Sequence, residues 1–264
     1  MDKKTPDRAI ILMYHQIIAD DVPENWVPND LADPRYGVRE RVFSEHLALF
    51  SSMGLPVVDL DSLLSGHSLG HPLSVVITFD DGYASDLSRA AKALLNARIP
   101  ATFFLSTARM GQPGMMTAEQ ATELAALPGL KIGAHGATHR FLTELSDEEL
   151  VGELSEAKSS IHEWSGEDNI YLSAPGGRVN DRVGKKVLET GYRGLLTSNP
   201  GVYIKEGDPF GVPRLPVTCR TTTKQLQSLL NPDSLSFRLN KWSRVARRIV
   251  REAILSPPHH RRKS

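Results

Sequence analysis

The stretch Ser74-Val-Val-Ile-Thr-Phe-Asp-Asp-Gly-Tyr83 (SVVITFDDGY) carries an apolar run that ends on two adjacent carboxylates and a glycine. A run this short, apolar and rich in β-branched residues (74–80) reads as a strand buried on both faces, the kind a parallel sheet uses. The glycine permits a sharp turn, so Asp80 and Asp81 stand at a carboxyl end of a strand. Asp-Asp-Gly is also an ordinary turn on backbone grounds, so its neighbours have to decide what it does.

Working outward, comparable runs recur at 9–15 (AIILMYH), 55–60 (LPVVDL), 101–107 (ATFFLST), 130–135 (LKIGAH), 169–175 (NIYLSAP), 194–198 (GLLTS) and 211–217 (GVPRLPV). Between them 43–53, 85–97, 117–127, 146–164 and 181–190 read as helices. The clearest start signal is Ser146-Asp-Glu-Glu149, a capping box in which serine and glutamate satisfy each other's exposed backbone donors. Behind it Leu150, Leu154, Ala157, Ile161 and Trp164 follow helical spacing and are expected to face a core. Strands alternating with amphipathic helices predict a (β/α) barrel with fewer than eight repeats.

In such a barrel, chemistry gathers at the carboxyl ends of the strands. His15 closes the first expected strand, Asp80 and Asp81 the third, His135 the fifth, and a Pro175-Gly176-Gly177 turn the sixth. The HGATH segment sets His135 and His139 four residues apart, close enough to share one ion on a helical turn or a tight loop. One carboxylate with two imidazoles makes a three-ligand site with open positions, as catalytic zinc requires, and leaves a second aspartate free to take a proton. These ligand types also suit a non-haem iron(II) oxygenase. Hydrolysis is favoured because the extra aspartate has a use in activating water, and because the pattern is parallel α/β rather than a jelly roll.

The chain has 264 residues, 40% hydrophobic and 23% charged, enough for one sizeable core. A single cysteine, Cys219, excludes an internal disulfide and a cysteine zinc site, and fits a reducing, cytoplasmic setting. AIILM is too short for a signal-peptide core, and no run approaches the roughly 20 apolar residues of a membrane span. The net charge of zero hides a strongly basic segment, 237–264. We therefore expect a catalytic domain over 1–235 and a basic amphipathic helix and tail over 236–264. Within the latter, Trp242, Val245, Ile249 and Ala253 form an apolar stripe flanked by Arg244, Arg247, Arg248 and Arg251. That pattern fits peripheral contact with the inner face of a membrane, and equally a helix packed on the barrel. It matches no nucleic-acid-binding module, so nucleic acid is not an expected partner.

TFDDG and HGATH resemble the first two motifs of the polysaccharide deacetylases (NodB homology domain, carbohydrate esterase family 4), and LSAPGG resembles a degenerate form of the third, RxPxG. The resemblance spans roughly Ile10 to Val217, and ILMYHQI and VFSEHLALF look like the exopolysaccharide and poly-N-acetylglucosamine deacetylase branch. It implies a distorted, seven-stranded barrel. It implies that Asp80 is the catalytic base, that Asp81, His135 and His139 bind zinc or another divalent ion, and that the Gly176 N–H helps form an oxyanion hole. Three departures stand out. Ser173 replaces the motif arginine that usually orients the base, for which Arg214 substitutes only if the fold brings it there; the Asp-Trp fourth motif is absent; and no histidine lies between His162 and His259 to serve as general acid. His15 is then the expected acid, as an early YH histidine is in the related branch. The implied reaction is removal of an N-acetyl group from an amino sugar, with a GlcNAc-containing glycan or lipid-linked glycan as substrate. Aromatics make up only 6% of the chain, too few for a long sugar platform. A catalytically impaired glycan-binding homologue is the alternative that the altered later motifs leave open.

Overall fold

The computed structural model describes residues 7–23, 33–65, 69–168, 170–234 and 237. The expected basic helix and tail therefore lie outside the described residues, apart from Phe237.

Ten strands and seven α-helices are present among the described residues: β1 (Arg8–Tyr14), β2 (Ile17–Ile18), β3 (Val38–Arg39), α1 (Glu40–Ser52), α2 (Leu60–Leu64), β4 (Leu73–Asp81), α3 (Lys92–Ala97), β5 (Ala101–Leu105), α4 (Ala118–Ala125), β6 (Leu130–Ala134), α5 (Asp147–Ser165), β7 (Tyr171–Ser173), α6 (Asp181–Glu189), β8 (Gly194–Leu196), β9 (Tyr203–Ile204), β10 (Leu215–Pro216) and α7 (Thr223–Leu229). The main sheet runs β10-β1-β4-β5-β6-β7-β8, every pair on that path parallel, with β9 antiparallel on β1. The seven parallel strands curl into a distorted barrel with helices outside. Val212 bridges to Leu196 at the end of β8, and Leu215 three residues later pairs with Leu12 of β1, so this one segment spans the gap between the two sheet edges.

Alternation along the strands sorts two cores. Ile10, Leu12 and Tyr14 with Val75, Ile77, Phe79, Phe103 and Leu105 face the helices. There Phe79 stacks on Phe103 at 4.7 Å and on Tyr14 at 5.4 Å. Ala9, Ile11, Val76, Phe104, Tyr171 and Leu196 fill the barrel interior. Each such aliphatic or aromatic side chain contributes about 1.5–3 kcal/mol by leaving water. Gly133 is needed beside them, because a Cβ there would lie 2.8 Å from the Phe104 ring. Thr78 and Asp80 share the parity of Val76, which points them inward and upward to the mouth.

Two expected strands differ. At 55–60 only Val57 bridges, to Val75, because the chain turns at Asp59, whose carboxylate accepts from the Ser62 amide and starts α2. At 211–217 pairing breaks into single contacts and the two-residue β10, since Pro213 and Pro216 lack the N–H a ladder needs. The expected helix at 85–97 opens as a π-helix, Asp86–Ala91, before α3. The Ser146/Glu149 capping box is formed and starts α5.

Candidate active site

Asp80 ends the inward-facing row of β4 and is 2% exposed. Its two oxygens are gripped by a fork: Arg214 Nη1 donates to Oδ1 at 2.8 Å and Nη2 to Oδ2 at 2.7 Å. Arg214 is fully buried, held by Nε donating to the Thr197 carbonyl at 3.0 Å and Nη1 to the Thr78 hydroxyl at 3.2 Å. Ser173 donates its hydroxyl to Asp80 Oδ2 at 3.1 Å and accepts from Arg214 Nη2 at 2.7 Å. Burial alone would push the Asp80 carboxyl up, but the Arg214 charge, then His135, outweighs it and holds the group below its ordinary 3.8. The serine in place of the motif arginine thus leaves room for a guanidinium arriving from the chain segment before β10.

Asp81 follows in a left-handed conformation, φ 85°, and this turns its carboxylate off the strand parity toward the mouth. His139 is also left-handed, at φ 66°. For a residue with a Cβ such a backbone costs about 1–2 kcal/mol, and such strain collects at working sites. His139 Nε2 lies 3.1 Å and His135 Nε2 3.4 Å from the same oxygen, Asp81 Oδ1. The ligand atoms of Asp81, His135 and His139 all fall within 4.8 Å of one another. His135 Nδ1 sits 2.8 Å from the Ser173 carbonyl, which assigns the proton to Nδ1 and leaves the Nε2 lone pair facing the cluster. Burial pushes the His135 imidazole down to about 4, so it is neutral at physiological pH, the form a metal needs. Burial likewise raises the Asp81 carboxyl, but the His139 hydrogen bond and the charges of His15, His135 and His139 overcome it and leave the carboxylate strongly acidic. One oxygen and two imidazole nitrogens, with His135 fixed in tautomer, fit a divalent ion of the zinc type.

His15, Asp80, Asp81, His135, His139 and Gly176 all line one open cleft of about 610 Å³. His15 stacks on Tyr36, ring centroids 4.3 Å apart, and its Nδ1 is buried without a hydrogen-bond partner among the described residues. Gly176 adopts φ 63°, and a Cβ there would meet the Phe141 ring at 2.6 Å. Phe141 in turn carries the Arg178 guanidinium 3.9 Å above its ring. Tyr36, Phe141 and Arg178 have no motif signal in the sequence; only the closed fold brings them to the cleft. Arg214 had one, a lone arginine in a proline-rich strand, but nothing local says where it points.

Residues 70–195 match the family model described as polysaccharide deacetylase. Among curated proteins, a putative polysaccharide deacetylase of Bacillus subtilis (strain 168), YxkH, is 26% identical over 216 residues, covering 81% of this chain and 72% of that protein. A peptidoglycan-N-acetylglucosamine deacetylase of Bacillus cereus is 30% identical over 138 residues, 48% of this chain and 62% of that protein. Among solved structures, the Streptococcus pyogenes deacetylase PplD in complex with acetate superposes with a TM-score of 0.75 at 22% identity, over 86% of this chain and 100% of the chain in that structure.

Proposed function

We propose that this chain is a polysaccharide deacetylase, a carbohydrate N-deacetylase that removes an N-acetyl group from an amino sugar by metal-dependent hydrolysis, a reading supported by the family match over residues 70–195 and by its relatives. The observation that carries the reading is the fork of Arg214 on Asp80 beside the Asp81, His135 and His139 cluster. It supports a division of labour between adjacent carboxylates, one for an ion and one for a proton. Asp81, His135 and His139 would hold the ion, with Zn2+ favoured by the mixed imidazole and carboxylate donors. When bound, the ion supplies Lewis acidity, lowering the pKa of a water from about 15.7 toward 7 and polarising the acetamide carbonyl.

The chain's own groups do the rest. Asp80 takes the proton from the attacking water, and its fork keeps both oxygens oriented and ionised for that task. The Gly176 N–H donates to the oxygen on which charge develops, acting in the transition state rather than on bound substrate. His15, on the same cleft, protonates the departing amine. Stacking on Tyr36 holds the ring in place. The intact, oriented base favours catalysis over a purely glycan-binding role. The low aromatic content of the chain, 6%, favours a short or lipid-linked GlcNAc-containing glycan over a long polymer. No helix among the described residues is long and apolar enough to cross a membrane. A cytoplasmic enzyme is the reading that the single cysteine supports, and the basic segment 237–264 offers it a peripheral contact with the inner face of the membrane.

Acetate release from chitooligosaccharides tests the reading. We expect release that stops with a chelator and returns with zinc, and that falls by about 10² to 10⁴ in His15→Ala at unchanged zinc content. No acetate under any metal would refute the reaction, and a near-normal rate in His15→Ala would refute its role as acid.

A further inference from the structure

Helix α5 turns an apolar stripe of Leu150, Leu154, Ala157 and Ile161 to the core, all fully buried. Glu153 sits on that same face, 7% exposed, where packing alone would place an aliphatic residue. A carboxylate buried there needs partners, and it finds them in one place. Glu153 Oε1 accepts from the Thr138 amide at 2.8 Å, and Oε2 accepts from the Thr138 hydroxyl at 2.9 Å.

Thr138 directly precedes His139 and lies in the loop joining the two histidines. That loop is tied at its other residues by the Thr107 amide donating to the Gly136 carbonyl at 3.3 Å and the Ala108 amide to the Ala137 carbonyl at 2.9 Å. Glu153 also presses on the loop from below, since a Cβ on Gly136 would lie 2.7 Å from Oε1. His139 leaves this clamp in a left-handed conformation that a residue with a Cβ does not hold unaided.

We propose that Glu153 is a positioning residue for the metal centre, its two-point grip on Thr138 fixing His139 in the strained backbone that aims its Nε2 at the Asp81 oxygen. The inference rests on the metal-dependent reading of the site. It makes the two-point grip from α5 part of the metal's affinity rather than of the core's stability. Outer groups that orient ligands typically change metal affinity 10- to 100-fold when removed.

The test is zinc affinity of the whole chain, measured by competition with a chromophoric chelator, with the melting temperature of the metal-free protein recorded beside it. Glu153→Leu restores an apolar stripe, and we expect it to weaken zinc by about 10- to 100-fold while the metal-free protein melts no lower than wild type. Glu153→Gln accepts from the amide and donates to the hydroxyl, so it should bind zinc close to wild type. Thr138→Val keeps the amide bond and loses the hydroxyl, and should weaken zinc about fivefold. Wild-type affinity in Glu153→Leu overturns the inference. Should that variant fail to fold, unchanged affinity in Thr138→Val overturns it instead. A wild-type chain that binds no zinc would be a different failure, removing the metal reading itself along with this one.

Discussion

Arg214 and Asp80 form a buried ion pair, and such pairs are costly to break one-sidedly because the survivor stays buried and charged. Arg214→Met should therefore destabilise the protein by about 3–5 kcal/mol at neutral pH. The sign with pH follows from the direction of the Asp80 shift. Its folded carboxyl lies below the ordinary 3.8, so the pair's stabilisation is present above that value and lost as pH falls through the folded one. The variant's deficit should shrink accordingly in acid. In the rate, loss of the guanidinium lets burial raise the Asp80 carboxyl, so the acid limb of kcat/KM moves to higher pH. Arg214→Lys, a point charge without the fork, should fall between. An unmoved acid limb in Arg214→Met would show that Asp80 is not the group titrating in catalysis. From the sequence, Asp80 and both histidines were legible as strand-end residues, whereas Ser173 read only as a missing arginine. The replacement, Arg214, lies 41 positions from Ser173 and 134 from Asp80, a relation that no local pattern encodes.

Among the elements, the π-helix Asp86–Ala91 holds a second oddity, for Asp86 is fully buried and neither carboxyl oxygen has a hydrogen-bond partner among the described residues. Burial, then the Asp81 and Asp80 charges, pushes its carboxyl well above 3.8. A folded value above the unfolded one means stability present below about 3.8 and lost as pH rises toward the folded value. Asp86→Asn, neutral and nearly isosteric, should raise Tm at neutral pH, with a gain that grows from near zero at acid pH by at most about 1.4 kcal/mol per pH unit. Thermal melts from acid to neutral pH check this, and a constant offset would contradict it. The same stretch shows why elements were only partly readable. Its apolar spacing announced a helix but not the wider turn, just as Leu-Pro-Val-Val looked like a strand until Asp59 capped α2. Helix α7 was missed although Thr222 and Gln225 form a capping box, because its apolar run is too short to show a period. The long, capped, amphipathic α5 was read nearly to the residue.

For the molecule as a whole, the parallel barrel explains why residues scattered along the chain meet at one mouth. Every strand in the path points the same way, so the carboxyl ends of β4 and β6 deliver Asp80, Asp81 and His135 to a single cleft, while Ser173 at the end of β7 and Arg214 just before β10 are buried behind Asp80. That convergence was foreseeable from the strand-end placement, while the closure of the sheet edges by the proline-broken 209–216 segment was not. A metal that bridges β4 to the loop after β6 would also bind only the folded chain, linking its affinity to global stability. The most direct measurement of the central claim is a calorimetric zinc titration of wild type, His139→Ala and Asp80→Asn, with acetate release followed on the same samples. We predict one zinc per chain in wild type and in Asp80→Asn, acetate release in wild type alone, and loss of tight zinc binding in His139→Ala. Zinc bound as tightly by His139→Ala as by wild type, or sustained acetate release by Asp80→Asn, would contradict the assignment of one carboxylate to the metal and its neighbour to the proton.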